Sequence, residues 1–91
     1  MAAAEFDLMA RIEDAHWWYR SLRALLQECL ENAGFDSAGL LLDVGCGTGG
    51  TLAAVKARWP RLNVVGLDLD SRALAHCRHR GLDALIRARA D

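Results

Sequence analysis

Two carboxylates and a cluster of glycines are the residues of this chain best suited to chemistry. The segment Leu40-Leu41-Leu42-Asp43-Val44-Gly45-Cys46-Gly47-Thr48-Gly49-Gly50 runs from an apolar stretch through an acid into four glycines within six residues. A second apolar stretch, Val64-Val65-Gly66-Leu67, ends in another acid, Asp68, 23 residues after Gly45. An acid at the end of a buried strand, beside a flexible turn into a helix, suits a nucleotide-type cofactor. Gly45 can make the turn because glycine tolerates positive φ, and Gly47 and Gly49 leave room for a ligand to approach the backbone. The helix that follows offers unpaired N–H groups at its start. Asp68 stands close to the spacing at which an acid accepts from ribose hydroxyls, a bond of roughly 1.5–3 kcal/mol for an ionised carboxylate. A plain strand-to-helix turn does not need four glycines.

Gly45, Gly47 and Gly50 also satisfy G-x-G-x-x-G, the dinucleotide fingerprint, so a nicotinamide- or flavin-binding Rossmann segment is an alternative. Asp43 weighs against it. A carboxylate beside the turn repels a pyrophosphate and attracts an ammonium or sulfonium ligand. Asp68 has a plainer role available as the acid at the start of the next helix, which Asp70 can fill instead. Leu69 can lie against the flat face of a base or belong to the core.

These residues need strands and helices to place them. Residues 5 to about 33 read as helix, broken once, with Leu22, Leu25, Leu26, Cys29 and Leu30 on one apolar face. Gly34 is a C′ stop, and Phe35 to Gly39 is a turn. Residues 40–44 form the first strand, apolar on both faces, as in a parallel strand covered by helices on both sides. A helix follows from about Gly50 to Arg58, directing Leu52, Val55 and Trp59 at the sheet, and Pro60 ends it. The second strand covers about 63–68. The next helix, capped by Asp70 or Ser71, buries Ala73, Leu74 and Cys77 and stops at Gly81. Leu82 to Ile86 can begin a third strand. This order predicts an α/β fold, the N-terminal part of a Rossmann-like doubly wound parallel sheet, truncated after two to three strands. Residues 1–38 form an N-terminal helical segment and 39–91 a βαβα core. A sheet this short buries a small fraction of its surface, so its stability is marginal and its open side invites self-association.

Composition narrows the function classes. The 91 residues carry a net charge of −1, which gives no bulk attraction to nucleic acid or an anionic membrane. Arg72, Arg78, Arg80, Arg87 and Arg89 gather near the C-terminus, as a solvated face and a complement to helix ends. The first residues lack a basic region and resemble no signal peptide, and no apolar run approaches the ~20 residues of a membrane helix. Three cysteines without CxxC spacing point to reduced thiols and a cytoplasmic location.

Residues 41–50 together with 64–68 resemble motif I and the following motif of class I S-adenosylmethionine-dependent methyltransferases. Glu13-Asp14-Ala15-His16-Trp17-Trp18-Tyr19-Arg20 is similar to a segment ahead of motif I in many bacterial small-molecule methyltransferases of that class. The resemblance implies S-adenosyl-L-methionine as cofactor and a small-molecule acceptor. It implies that Asp43, Gly45, Cys46, Gly47, Thr48 and Gly49 form the cofactor loop, with Asp43 toward the amino-acid end, that Asp68 holds the ribose, and that Leu69 follows it. Family members continue through further strands that approach the methyl group and enclose the acceptor, so no catalytic residue is assigned. A catalytically inactive binding or interaction module is a further alternative.

Other residues attract less specific expectations. Trp17, Trp18 and Tyr19 can form an aromatic lid, or pack a helix onto the sheet edge, with packing expected for at least one tryptophan. His16 can be a site residue but reads more plainly as structural or exposed, and Arg20 and Arg23 can reach a carboxylate or form surface salt bridges. His76 and His79 share a helix face that Cys77 does not, so no metal site is expected. Cys46 reads as a small packed side chain with no histidine to activate it.

Overall fold

The computed structural model describes residues 2–89; Met1, Ala90 and Asp91, the ends of the expected 1–91 domain, lie outside them. Its elements are α1 (Ala3–Ile12), α2 (Trp17–Asn32), β1 (Leu40–Val44), α3 (Gly50–Arg58), β2 (Asn63–Asp68), α4 (Ser71–His79) and β3 (Leu85–Arg87). The expected break in the first helix falls at residues 13–16. His16 makes it, because its Nδ1 accepts from the Trp18 N–H at 3.2 Å and so caps α2. Gly34, at φ 67°, follows the end of α2.

The three strands are parallel, in the order β1-β2-β3. Leu41 pairs with Val64, Asp43 with Gly66, and Gly66 with Leu85. Crossovers between parallel strands are right-handed as a rule, and both crossovers here step the same way across the sheet. They therefore place α3 and α4 on the same face. Leu52 of α3 and Leu74 and Cys77 of α4 are buried there with Cys46 and Leu82, against Leu41, Val64 and Leu85. Val55, Trp59 and Leu62 form an adjoining cluster that Leu26 and Leu30 of α2 reach. Burying each of these aliphatic side chains contributes about 1.5–3 kcal/mol.

The expectation that helices cover both sides of β1 is corrected. Leu40, Leu42 and Val44 are 72%, 51% and 53% exposed. They share their face with Val65, Leu67 and Ile86 through the strand register, and no helix lies on it among the described residues. The apolar face of α2 is corrected likewise: Leu26 and Leu30 pack inward, while Leu22, Leu25 and Cys29 stay exposed.

The α4 ends follow local rules. Asp70 Oδ1 accepts from the Arg72 N–H at 2.9 Å as the N-cap. At the other end Leu82 N–H donates to Cys77 O at 3.1 Å and Gly81 N–H to Arg78 O at 3.0 Å, the Schellman pattern, with Gly81 at φ 84°. Leu82, expected to open the third strand, is a buried residue ahead of it. Helix α1 lies along α4, where Asp7 meets His76 Nε2 at 2.8 Å and buried Phe6 lies under the Arg72 guanidinium.

Candidate cofactor site at the strand ends

The C-terminal ends of the strands meet the glycine turn. Both Gly45 and Cys46 donate their N–H groups to Leu67 O, at 2.7 and 3.0 Å, which pins the loop to the end of β2. Gly45, Gly47 and Gly49 all have positive φ, from 58° to 87°, whereas Gly50 is already the first residue of α3. Their surroundings differ. A side chain at Gly45 would meet nothing within 4 Å, but one at Gly49 would lie 2.9 Å from both Cys77 Sγ and Leu82 Cδ1. Gly45 opens to solvent, and Gly49 lets the loop pack on α4.

Asp68 stands at the centre of this edge. Its Oδ2 accepts from the Gly47 N–H at 3.0 Å and its Oδ1 from the Asp70 N–H at 2.9 Å. One carboxylate thus ties the loop after β1 to the turn after β2. Asp70 performs the capping of α4, so Asp68 is not needed for it. Val44, Gly45, Leu67, Asp68, Leu69, Ala88 and Arg89 line a cavity of about 440 Å³. A cavity of about 530 Å³ adjoins it across Asp68 and Leu69, lined also by Phe6 and Arg72. Leu69 is 58% exposed between them, which removes it from the core.

Asp43 is set apart. Alternation along β1 turns it to the helix-covered side, where it lines a cavity of about 190 Å³ with Leu26, Leu30, Leu41 and Thr51. Burial pushes its carboxyl above the ordinary value, and the nearby Asp68 charge pushes the same way. Thr48 is fully buried, and its hydroxyl donates to Glu13. Cys46 is buried with its Sγ 3.8 Å from Cys77 Sγ, and its thiol is pushed up to about 12, chiefly by burial. It is a neutral packing group. Gly66 makes room for it: a side chain there would sit 2.9 Å from Cys46 Sγ.

The remaining expectations divide. Cys77 faces Cys46 and donates to Gly47 O at 3.2 Å, while His76 faces Asp7, so neighbours in sequence serve different partners. Trp17 and Trp18 are 70% and 50% exposed, which corrects the expectation that one packs on the sheet. Trp17 stacks on His16 and Trp18 meets Tyr19 edge-on. Arg23 donates to Asp14 O at 3.3 Å rather than to a carboxylate. Glu13 and Arg80 were missed as loop partners. They lie far apart in sequence, and no spacing rule joins an acid after the first helix to the C-cap of α4.

Comparison with known proteins identifies the family. A family model described as a methyltransferase domain matches residues 41–90. Ribosomal RNA small subunit methyltransferase C of Pseudomonas syringae pv. tomato is 51% identical over 61 residues, covering 63% of this chain and 18% of that protein. Trans-aconitate 2-methyltransferase of Azoarcus sp. is 35% identical over 52 residues, covering 57% of this chain and 21% of its own. The chain spans about a fifth of the length of the curated relatives it matches. Its strand order, loop and family match together make this chain a member of the class I S-adenosylmethionine-dependent methyltransferase family.

Proposed function

We propose that residues 1–91 are a partial donor-binding domain that holds S-adenosyl-L-methionine at the C-terminal edge of its sheet, as part of a methyltransferase acting on a small molecule. The observation that carries this reading is the cavity shared by Gly45, Asp68 and Leu69 at the ends of β1 and β2. In a doubly wound sheet, ligands bind outside the carboxyl ends of the strands.

The residues suit such a ligand. Each Asp68 oxygen accepts one backbone N–H and keeps capacity for a ribose hydroxyl. Gly45 leaves space over the turn, and exposed Leu69 offers an apolar surface for a base. Gly47, Thr48 and Gly49, with Cys46 packed beneath, hold that turn. Burial and the nearby Asp68 charge raise the cost of ionising Asp43, and a bound cation relieves it, which favours a sulfonium or ammonium ligand over a pyrophosphate. When bound, S-adenosylmethionine supplies an electrophilic methyl group. The chain's contribution is to hold and orient the donor.

A small-molecule acceptor is favoured by charge. The net charge is −1, and Arg58, Arg72 and Arg80 are paired with Glu31, Asp70 and Glu13 rather than arrayed as a basic surface. The trans-aconitate relatives are named for such an acceptor, and the ribosomal RNA relatives for a nucleic acid. Among the described residues no helix is long and apolar enough to cross a membrane, and the odd number of cysteines supports a cytoplasmic setting. The uncovered sheet face supports self-association of the isolated chain.

Calorimetric titration of the chain with S-adenosylhomocysteine and, separately, with NAD tests the reading. Heat from the first ligand alone is expected. Heat from NAD alone would overturn the assignment of the donor.

A further inference from the structure

Glu13 is a charged residue that the fold buries. It is 6% exposed, between the end of α1 and the first turn of α3. Arg80 Nη2 donates to its Oε1 at 2.5 Å, and the Thr48 hydroxyl donates to the same oxygen. The Arg80 fork is fully used: Nε donates to Thr48 O at 2.9 Å and Nη1 to both Asp14 oxygens at 3.0 Å. Gly50 completes the arrangement. A side chain there would lie 2.5 Å from Glu13 Cδ and 2.7 Å from both carboxylate oxygens, so it would displace the acid from this position.

A buried ion pair gains little stability over apolar packing, but loss of one partner strands the other charge. Such a pair specifies one arrangement of the segments it joins. Here the segments are the end of α1, the loop at Thr48 to Gly50, and the end of α4. From Thr48 the next residue back is Gly47, whose N–H holds Asp68 and whose carbonyl accepts the Cys77 thiol.

We propose that Glu13, clamped by Arg80, is a positioning residue for the cofactor loop: it fixes Thr48 and the start of α3, and through Gly47 the orientation of Asp68. The consequence for cofactor affinity rests on the methyl-donor reading given above. The clamp makes the N-terminal helix part of the site although Glu13 does not line the cleft at Gly45 and Asp68.

The test uses the whole chain with three variants. Glu13→Ala removes the acid. Glu13→Gln keeps its shape and acceptor without charge. Gly50→Ala leaves Glu13 in the sequence but takes its space. Amide hydrogen exchange without ligand reads the loop. Exchange at Gly47 to Leu52 is expected to rise about tenfold or more in Glu13→Ala and Gly50→Ala while β2 amides stay protected, since local opening is separable from global unfolding. Glu13→Gln is expected to restore part of the protection. S-adenosylhomocysteine affinity is expected to fall roughly tenfold in the first two variants and less in the third. Exchange that rises equally in β2 and the loop, or not at all, would overturn the clamp, as would unchanged affinity in a loosened loop. Loosening of the loop in a chain that binds no S-adenosylhomocysteine would overturn the methyl-donor reading and leave the clamp standing.

Discussion

The covered and uncovered faces of the sheet carry the same kind of residue. On one, Leu41, Val64 and Leu85 meet Leu52, Val55 and Leu74 from the helices. On the other, Leu40, Leu42, Val44 and Ile86 are mostly exposed. Composition does not distinguish the faces; topology does. Two crossovers of the same hand, stepping the same way, can cover only one side. The difference also locates the cleft. Val44 and Leu67, from the uncovered face, form one wall of the cavity, and Gly45 and Asp68 form its rim. The site lies where the bare face meets the strand ends.

The largest test of this asymmetry is a pair of truncations. Leu52→Ala, at 1% exposure, should cost about 2–5 kcal/mol in urea unfolding, by lost burial and a cavity. Leu42→Ala, on the bare face, should stay within about 0.5 kcal/mol, as surface changes do. Equal losses would mean that both faces are packed in solution, and a concentration-dependent mass would identify a second copy as the cover.

Gly66→Ala sharpens the account of the covered face. Its new methyl group would meet Cys46 Sγ at 2.9 Å, Leu85 Cδ2 at 3.1 Å and Leu52 Cδ2 at 3.2 Å. Overpacking of that kind costs about 1–3 kcal/mol, to be read in the same urea series. Unchanged stability would show the loop free to lift from the sheet.

Asp68→Ala addresses the rim. S-adenosylhomocysteine affinity should fall about tenfold or more, at ~1.4 kcal/mol per decade, in a variant whose circular dichroism matches the parent. An equal affinity would remove Asp68 from ribose recognition.

The smallest effect concerns Asp43, a carboxyl on the covered side. Its folded-state pKa is raised above the ordinary 3.8, so the native state binds its proton more tightly than the unfolded chain. Stability from this group is greatest below 3.8 and declines as pH rises toward the folded value. Asp43→Asn should therefore stabilise the chain at neutral pH, with the gain shrinking as pH falls through that window and absent below 3.8. A gain that persists at acid pH would assign the effect to packing instead of ionisation.

Much of this was legible in the sequence because it is local. Asp70 as a cap, Gly81 as a stop, the bounds of β1, α3 and β2, and the acids at the strand ends follow from neighbours within a few residues. The bare face was not legible, because Leu40 to Val44 read as equally buried on both sides until the strand order is known. Nor was the cavity that Asp43 lines, which depends on where Leu26 and Leu30 of α2 pack. Glu13 escaped for a similar reason. A single acid near a helix end gives no signal until folding brings Arg80 and Thr48 to it. The exposure of Trp17 also lay beyond the sequence, since an aromatic pair on a capped helix reads the same whether packed or not.

The central claim is the location of the cofactor at the ends of β1 and β2, and nitrogen–proton correlation spectra of the labelled 10.0 kDa chain during titration with S-adenosylhomocysteine test it most directly. The account predicts shifts concentrated at Gly45, Gly47, Asp68 and Leu69, with Lys56 and Asp83, at the opposite end of the sheet, undisturbed. Shifts concentrated at Leu26, Leu30 and Thr51, around the separate cavity beside Asp43, would contradict it.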